Sequence, residues 1–233
     1  MLSNERNLII SLLKLTSKNS TLTKHIKNDT NLPIETIYTL LEKLQYVDDL
    51  LKVDGEMIKV SVNDRLKLAV KAASLGADIE HVSSLLCWQE FEELTAIALH
   101  NNNFVVYKNV RFKTTTRKWE IDIVGCKQPI VLCIDCKHWS HTITPTTLNK
   151  IATTQAERTK ALTETLPNPK LQLECTKWKH AQFIPTILSL TQNNTKYHNN
   201  TPIVPILQLQ NYLTQLPAYI HQLKTYPKIF DHL

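Results

Sequence analysis

The sequence contains no long uninterrupted apolar run. No segment of its 233 residues reaches the roughly 18 consecutive apolar residues that a membrane-spanning helix requires. The first residues, MLSNERNLIISLLKL, lack the small-residue cleavage site of a secretory signal peptide. We therefore expect a cytoplasmic protein without a membrane partner.

The chain also lacks a cysteine framework. Its five cysteines are odd in number and irregularly spaced, which indicates reduced thiols in an intracellular compartment. Cys133 and Cys136 form one C-x-x-C, but side chains three apart on a strand point to opposite faces, and no second pair follows at zinc-ligand spacing. Both cysteines are better interpreted as small apolar core residues.

Repeats and low-complexity segments are absent as well. With 42% apolar and 21% charged residues, the chain can bury a core and suits one large domain or two small ones. The net charge of +6 is uneven, because residues 107 to 180 hold 13 basic and 6 acidic side chains. This region would attract a phosphate backbone, although a solvated basic face explains the charge equally well.

Residues 1–76 are predicted to form a winged helix-turn-helix domain with a connecting helix. Apolar residues recur at helical spacing in 3–16 and in 33–45, with a short helix between them. LLKVDGEMIKVSV then predicts a β-hairpin with a type I′ turn at Asp54 and Gly55, which sets Leu51 opposite Ile58.

The role of this domain stays open at the level of sequence. Its third helix could bind DNA, but the polar face of that helix shows Glu35 and Glu42, which repel phosphates. Dimerisation or another protein contact is the equally weighted alternative.

Residues 77–233 are predicted to form an α/β (α+β) domain with a central mixed sheet flanked by helices. A helix over CWQEFEELTAIALHNNNF precedes three strands, FVVYKNVRF, KWEIDIVG and PIVLCIDCK, the last two antiparallel. A helix from about Thr146 to Leu166, two further strands and a closing helix follow. In the first helix, the spacing turns Glu92 toward the protein and Glu93 toward water.

Two neighbouring strands carry acidic residues where a buried strand should be apolar. The two-residue period places Glu120 and Asp122 on one face, and Asp135 and Lys137 on one face of the next strand. Buried carboxylates need a cation between them, and oxygen ligands suit Mg²⁺. Two carboxylates, a lysine and a hard cation are the groups that phosphodiester hydrolysis requires. The alternative is an ordinary Asp-Lys ion pair on an exposed face of the sheet, with no catalytic role.

The order of FEELTAIAL on a helix, EID on one strand and IDCK on the next resembles the PD-(D/E)xK nuclease superfamily, closest to Mrr-like restriction endonucleases and archaeal Holliday-junction resolvases. The resemblance covers about residues 88 to 165 well. It departs from the usual pattern in two ways, since the acid of D-x-K is Asp rather than Glu and no proline precedes Asp122.

The resemblance implies a role for several residues. Asp122 and Asp135 would bind the metal together with the backbone carbonyl of Cys136, and Lys137 would be the catalytic lysine. Glu92 would complete the site through water or a second ion.

Gln155 falls on the buried stripe of the following helix and, as in related nucleases, would face the site; an amide bonded to nearby backbone is the alternative.

Candidate DNA contacts are Lys113, Arg117, Lys118 and Arg158. Glu120 could be a ligand, a partner of Lys118 or solvated. Trp119 and Trp139 are expected to serve packing, and His138 and His141 receive no role.

We accordingly expect a Mg²⁺-dependent DNA endonuclease of restriction or repair type, with Mn²⁺ able to substitute, acting as a homodimer. The alternatives are a structure-specific nuclease for four-way junctions and a non-catalytic DNA-binding regulator.

Overall fold

A computed structural model of the chain describes residues 2–17, 20–137, 144–190 and 196–230. It divides into two compact units, Met1–Phe91 and Glu92–Leu233. The predicted boundary after residue 76 stays a prediction. Residues 77–91 are grouped with the first unit, where buried Arg65 binds Glu90.

The first unit combines helices with a small antiparallel sheet. Its helices and strands in chain order are α1 (Leu2–Leu15), β1 (Thr21–Leu22), α2 (Thr23–Thr30), α3 (Ile34–Glu42, extended by a π-helical turn Lys43–Val47), β2 (Lys52–Asp54), β3 (Met57–Lys59), α4 (Val62–Ser74), α5 (Ile79–Ser84) and the start of α6 (Trp88–Asn101). The three strands pair in the order β1-β3-β2. The predicted order of three helices followed by a hairpin is therefore present.

The hairpin turn lies one residue later than predicted. Val53, not Leu51, is opposite Ile58, and Asp54 pairs with Met57. A type I′ turn at Asp54 and Gly55 requires positive φ at both residues, whereas only Gly55 (φ 59°) has it. The two-residue turn therefore consists of Gly55 and Glu56.

A buried ion pair stabilises the first unit. Arg65 is 2% exposed, and its Nε donates to Glu90 Oε1 at 2.7 Å. Its other nitrogens donate to the carbonyls of Leu13 and Leu85 and to the hydroxyl of Thr16. Because all three guanidinium nitrogens donate hydrogen bonds, the cost of removing the pair from water is offset.

The second unit is a mixed sheet with helices against it. After α6 follow β4 (Val105–Lys113), β5 (Lys118–Lys127), β6 (Ile130–Lys137), α7 (Pro145–Thr165), a 3₁₀ turn (Glu174–Lys177), β7 (His180–Ser189), β8 (Tyr197–His198), β9 (Thr201–Pro205), a 3₁₀ turn (Ile206–Gln208), α8 (Leu209–Tyr219), a 3₁₀ turn (Ile220–Gln222) and β10 (Tyr226–Ile229). The predicted mixed sheet flanked by helices is confirmed.

The sheet has seven strands in the order β4-β5-β6-β7-β9-β8, and β10 pairs with the start of β7. β4, β5 and β6 are antiparallel to one another, whereas β6, β7 and β9 are parallel. Parallel neighbours require a crossover, and α7 supplies it between β6 and β7. This order makes β6 a central strand.

Burial on both faces explains the apolar sequence of β6. Every residue from Ile130 to Cys136 is buried, and only Lys137 at its end is half-buried. α7 packs on the sheet through Ala161 and Leu162, which share a core cluster with Val131 and Cys133. Charged residues near the end of this strand therefore lie beside an apolar core.

No helix within the described ranges is long and apolar enough to cross a membrane.

Candidate functional site

Asp122 and Asp135 lie beside each other on the paired strands β5 and β6. The antiparallel ladder sets Ile123 opposite Ile134, so the next pair in the same register is Asp122 and Asp135. The two carboxylates are close enough for the charge of Asp135 to raise the pKa of Asp122, after the larger effect of burial. The two acids that the sequence placed on neighbouring strands are brought together.

Asp122 also accepts a hydrogen bond from the backbone of the opposite strand. The Cys136 N–H donates to Asp122 Oδ2 at 2.8 Å, which opposes the rise in the pKa of Asp122. The bond fixes this carboxylate against β6 at the point where the β5–β6 ladder ends.

Two cations hold Asp135. Its side chain is almost fully buried, and Lys137 Nζ lies 2.8 Å from Oδ2 while Arg158 Nη1 lies 2.8 Å from Oδ1. Lys137 comes from the same strand and Arg158 from the crossover helix α7. Since both side chains are about one quarter exposed, their charged groups reach from the buried carboxylate toward solvent.

Glu92 on α6 is a buried carboxylate with an unsatisfied oxygen. It is 4% exposed, and Oε1 has no hydrogen-bond partner among the described residues. Burial raises the pKa of Glu92 to about 7, and the charges of Asp122, Glu120 and Asp135 add to the rise, while Lys108 opposes it.

Glu93, the next residue on the helix, is half-exposed and ion-paired with Lys108. The predicted inward and outward orientations of these two glutamates are confirmed.

Gln155 on α7 lies fully buried next to the acidic strand. Its Nε2 donates to the carbonyl of Cys133 at 2.7 Å, and its Oε1 has no hydrogen-bond partner among the described residues. The amide therefore anchors α7 on β6, two residues before Asp135. The hydrogen bond to the Cys133 carbonyl matches the alternative in which the Gln155 amide bonds to nearby backbone. Its Oε1 can still accept a further hydrogen bond.

The thiol of Cys136 contacts α6. It lies 3.9 Å from the Thr95 hydroxyl on α6, and burial raises the pKa of Cys136 well above its ordinary value. The side chain is therefore neutral, so the carbonyl is the group that this residue could offer to a cation.

Asn109 is a residue that sequence reasoning missed. The β4–β5 ladder pairs Lys108 with Ile123 and Val110 with Ile121, but it omits the intervening pair of Asn109 and Asp122. Asn109 has φ 52°, a left-handed conformation that asparagine tolerates better than most residues. The irregular position in β4 lies opposite the acid of β5, and an Asn inside an otherwise regular strand was the available signal.

A family comparison relates this geometry to known proteins. The model of the family described as "Nuclease-related domain" matches residues 88–206, half of the chain. The chain belongs to the nuclease-related domain family. The match covers α6, the acidic strands and α7, so the predicted relationship to nucleases is confirmed at this level. The Mrr-like and resolvase branches stay predictions.

One individual relative is similar in sequence, but its name states no function. An uncharacterized protein of Archaeoglobus fulgidus is 27% identical over 136 residues, which cover 57% of this chain and 94% of that protein.

Two solved structures are also similar. A protein of unknown function, AF1548, has 17% identity and a TM-score of 0.28 over 54% of this chain and 52% of its own. Protein VC1899 from Vibrio cholerae has 12% identity and a TM-score of 0.36 over 95% and 51%. The chain thus spans about half the length of these two solved proteins.

The nuclease-related domain has oxygen ligands that fit a hard cation. No group of three or more His, Cys, Asp or Glu side chains is preformed as a metal site within the described ranges. Mg²⁺ nevertheless binds through one or two carboxylates and keeps several waters. Asp122, Asp135 and the unsatisfied oxygen of Glu92 fit such an ion, since a cation would offset both the burial and the mutual repulsion that raise the pKa values of Asp122 and Glu92.

The predicted DNA contacts fall into two places. Lys113, Arg117 and Lys118 lie exposed at the β4–β5 turn, where Lys113 is directly opposite Lys118. Arg158 instead binds Asp135. Glu120 pairs with Arg111 through two hydrogen bonds of 3.0 and 3.2 Å, so Arg111, and not Lys118, is its partner.

Trp119 is partly buried against the core, as expected for a packing residue. His138, Trp139 and His141 lie outside the described residues.

Proposed function

We propose that this chain is a Mg²⁺-dependent DNA endonuclease that hydrolyses phosphodiester bonds. The observation that supports this most is Asp122 beside Asp135 on paired strands, with Lys137 bound to the second acid. Membership of the nuclease-related domain family agrees with it. Mn²⁺ is expected to substitute for Mg²⁺.

Asp122, Asp135 and the Cys136 carbonyl would hold the cation. When bound, the cation supplies a Lewis acid that withdraws charge from the scissile phosphate and makes water a better nucleophile. Lys137, at the end of the buried strand, would orient the attacking water through its ammonium group. Arg158, which reaches solvent beside it, can bind a phosphate oxygen while it stays near Asp135.

Glu92 would act beside this set as a carboxylate that is readily protonated. With a pKa of about 7 it is close to half-ionised at neutral pH. Its unsatisfied Oε1 can accept a hydrogen bond from water in the site. Gln155 would position Asp135 by holding α7 on β6.

The substrate and the assembly are part of the same proposal. The basic excess of residues 107–180 favours DNA, and hydrolysis would leave 5′-phosphate and 3′-hydroxyl ends, as the resemblance to PD-(D/E)xK nucleases implies. One site of this type cuts one strand, so cleavage of both strands calls for a homodimer. A restriction or repair role in the cytoplasm fits the free thiols of all five cysteines.

For the first unit we propose a winged helix that mediates protein contacts. The order of α1, α2, α3 and the β2–β3 hairpin is that of a winged helix. On α3, Glu35 and Glu42 are exposed and Lys43 is already paired with buried Glu5. This helix therefore presents a surface that suits a dimer contact better than a phosphate backbone.

Plasmid nicking by the purified full chain tests the activity. We expect cleavage with Mg²⁺ or Mn²⁺, none with EDTA, and none in Asp122→Ala or Lys137→Ala, while both variants still bind DNA. Lys160→Ala, which changes an exposed lysine of α7, is the matched control and should cleave normally. Cleavage that persists in both site variants would contradict the mechanism.

The two alternatives are separated by substrate. Cleavage of four-way junctions but not of linear duplex would identify a junction nuclease. DNA binding without cleavage of plasmid, single strand, RNA or junction would identify a regulator.

A further inference from the structure

An open groove lies at the end of the β4–β5 hairpin. It has a volume of about 660 Å³, and one wall is formed by the last residues of β4 and the first of β5. The other wall is the segment of Asn168, Lys170 and Leu171 after α7. Among the described residues, its lining includes four cationic side chains, Arg111, Lys113, Lys118 and Lys170, and one carboxylate, Glu120.

Three of the four cations form no ion pair with any described residue. Arg111 is paired with Glu120, but in the described ranges no carboxylate forms an ion pair with Lys113, Lys118 or Lys170. Lys113 and Lys118 are also directly opposite each other across the hairpin, an arrangement of like charges that destabilises a strand pair. An external anion in the groove would remove that repulsion.

Arg117 and Trp119 extend the same edge. The Arg117 guanidinium stacks on the Trp119 ring at 4.2 Å from its centre, and the indole N–H donates to the Thr114 hydroxyl at 3.3 Å. Stacking holds the guanidinium flat and leaves its in-plane N–H groups free to bind oxygen atoms of a phosphate. The turn therefore presents a cationic side chain that the Trp119 ring holds in place.

We propose that this groove binds consecutive backbone phosphates of one nucleic-acid strand, contributed by a duplex or by a single strand. A volume of about 660 Å³ admits the backbone of one strand and not a double helix. The groove begins on β5, the strand that also carries Asp122. A free acidic peptide would match the charge, but Arg111 and Lys113 on β4 and Lys118 on β5 belong to the same hairpin as Asp122, which favours a charged polymer that continues from the groove to the acidic site.

The distance along β5 gives the number of nucleotides between the groove and the cleaved bond. This step rests on the proposed nuclease function. Lys118 and Asp122 are four residues apart, which is about 13 Å in an extended strand. At about 3.4 Å of axial rise for each nucleotide of one strand of B-DNA, this separates the groove from the scissile phosphate by about four nucleotides. Substrates trimmed closer than that to the cleavage position should lose the groove contact.

Salt dependence of binding by the full chain tests the groove without requiring catalysis. We compare wild type with the triple variant Lys113→Gln, Lys118→Gln, Lys170→Gln by fluorescence anisotropy of labelled DNA in EDTA, from about 50 to 200 mM salt. Each lost phosphate contact lowers the slope of log K against log salt by about 0.9 for duplex or 0.7 for single-stranded DNA. A decrease of about 2 to 3 is therefore expected with the DNA form that fills the groove, and none with a form that does not.

A control variant of equal charge isolates the groove. Lys160, Lys179 and Lys196 belong to the same unit, are exposed and do not line the groove, and their replacement by Gln should leave the slope nearly unchanged. Equal slopes for the triple variant and this control would overturn the proposal. Displacement of DNA by polyglutamate as readily as by unlabelled DNA would overturn it in favour of an acidic polypeptide.

The two proposals fail separately. Loss of the salt slope in the triple variant supports the groove even if wild type never cleaves plasmid, because no divalent ion is present. Conversely, normal nicking by a triple variant with an unchanged slope would reject the groove and leave the active-site assignment in place.

Discussion

Replacing Glu92 by glutamine should stabilise the second unit at alkaline pH and leave its stability at acidic pH nearly unchanged. Glu92 has a folded-state pKa of about 7 against an ordinary value of 4.5. The folded state therefore holds this proton over a pH range in which the unfolded state has lost it. The contribution of Glu92 to the free energy of unfolding is therefore highest below pH 4.5 and falls as the pH rises to about 7, where the folded state also ionises.

The magnitude follows from the two pKa values. The difference between 4.5 and about 7 corresponds to about 3 kcal/mol, at 1.36 kcal/mol for each pH unit. Lys108 nearby and the partial exposure of Asp122 reduce the cost, so we expect Glu92→Gln to gain about 1 to 3 kcal/mol at pH 8 and about a quarter of that at pH 5, where the unfolded chain has already begun to ionise. Glutamine resembles the protonated acid, which explains the dependence on pH.

Urea unfolding in EDTA at pH 5 and pH 8 measures this, with tryptophan fluorescence as the probe, because Trp119 and Trp178 lie in the second unit. Glu93→Gln, one residue away and half-exposed, serves as the control and should show no such pH-dependent gain. The reasoning is refuted if Glu92→Gln loses stability at pH 8, or gains as much at pH 5 as at pH 8.

Three further predictions concern stability and local geometry. Arg158→Ala leaves buried Asp135 with one cation and should cost about 1 to 3 kcal/mol in urea unfolding, a loss that Asp135→Asn in the same chain reduces. Arg65→Met leaves Glu90 buried without its partner and should cost about 3 to 5 kcal/mol in the first unit, measured by circular dichroism. Asn109→Val should cost about 1 to 2 kcal/mol because its φ is positive, whereas Asn109→Gly should fold with little loss; equal effects of the two would count against a strained position.

Local patterns predicted much of the second unit. The strands over KWEIDIVG and PIVLCIDCK are found as β5 and β6, and the helix predicted from about Thr146 to Leu166 is α7. Two consecutive strands joined by a short turn pair with each other, so the meeting of Asp122 and Asp135 needs only period-two alternation and adjacency in sequence.

Other features depend on contacts that sequence spacing does not encode. Arg158 was expected to bind DNA, yet it binds Asp135, because the direction in which α7 returns over the sheet decides which residue it meets. The φ of Asn109 and the shifted turn at Gly55 reflect single backbone angles. The short strands β8 and β10 were not predicted, since two to four residues carry too little periodicity to distinguish a strand from a loop.

The position of Arg158 on α7 also imposes an order on biosynthesis. A nascent chain emerges from the ribosome with the hairpin of β5 and β6 complete before α7, and therefore with Asp135 lacking one of its two cations. β6 also lacks its parallel neighbour β7 until about 50 further residues have been made, and such non-local pairing forms slowly. The acidic strands thus pass through a stage in which they are exposed and electrostatically unbalanced, and any chain truncated within the crossover would remain in that stage.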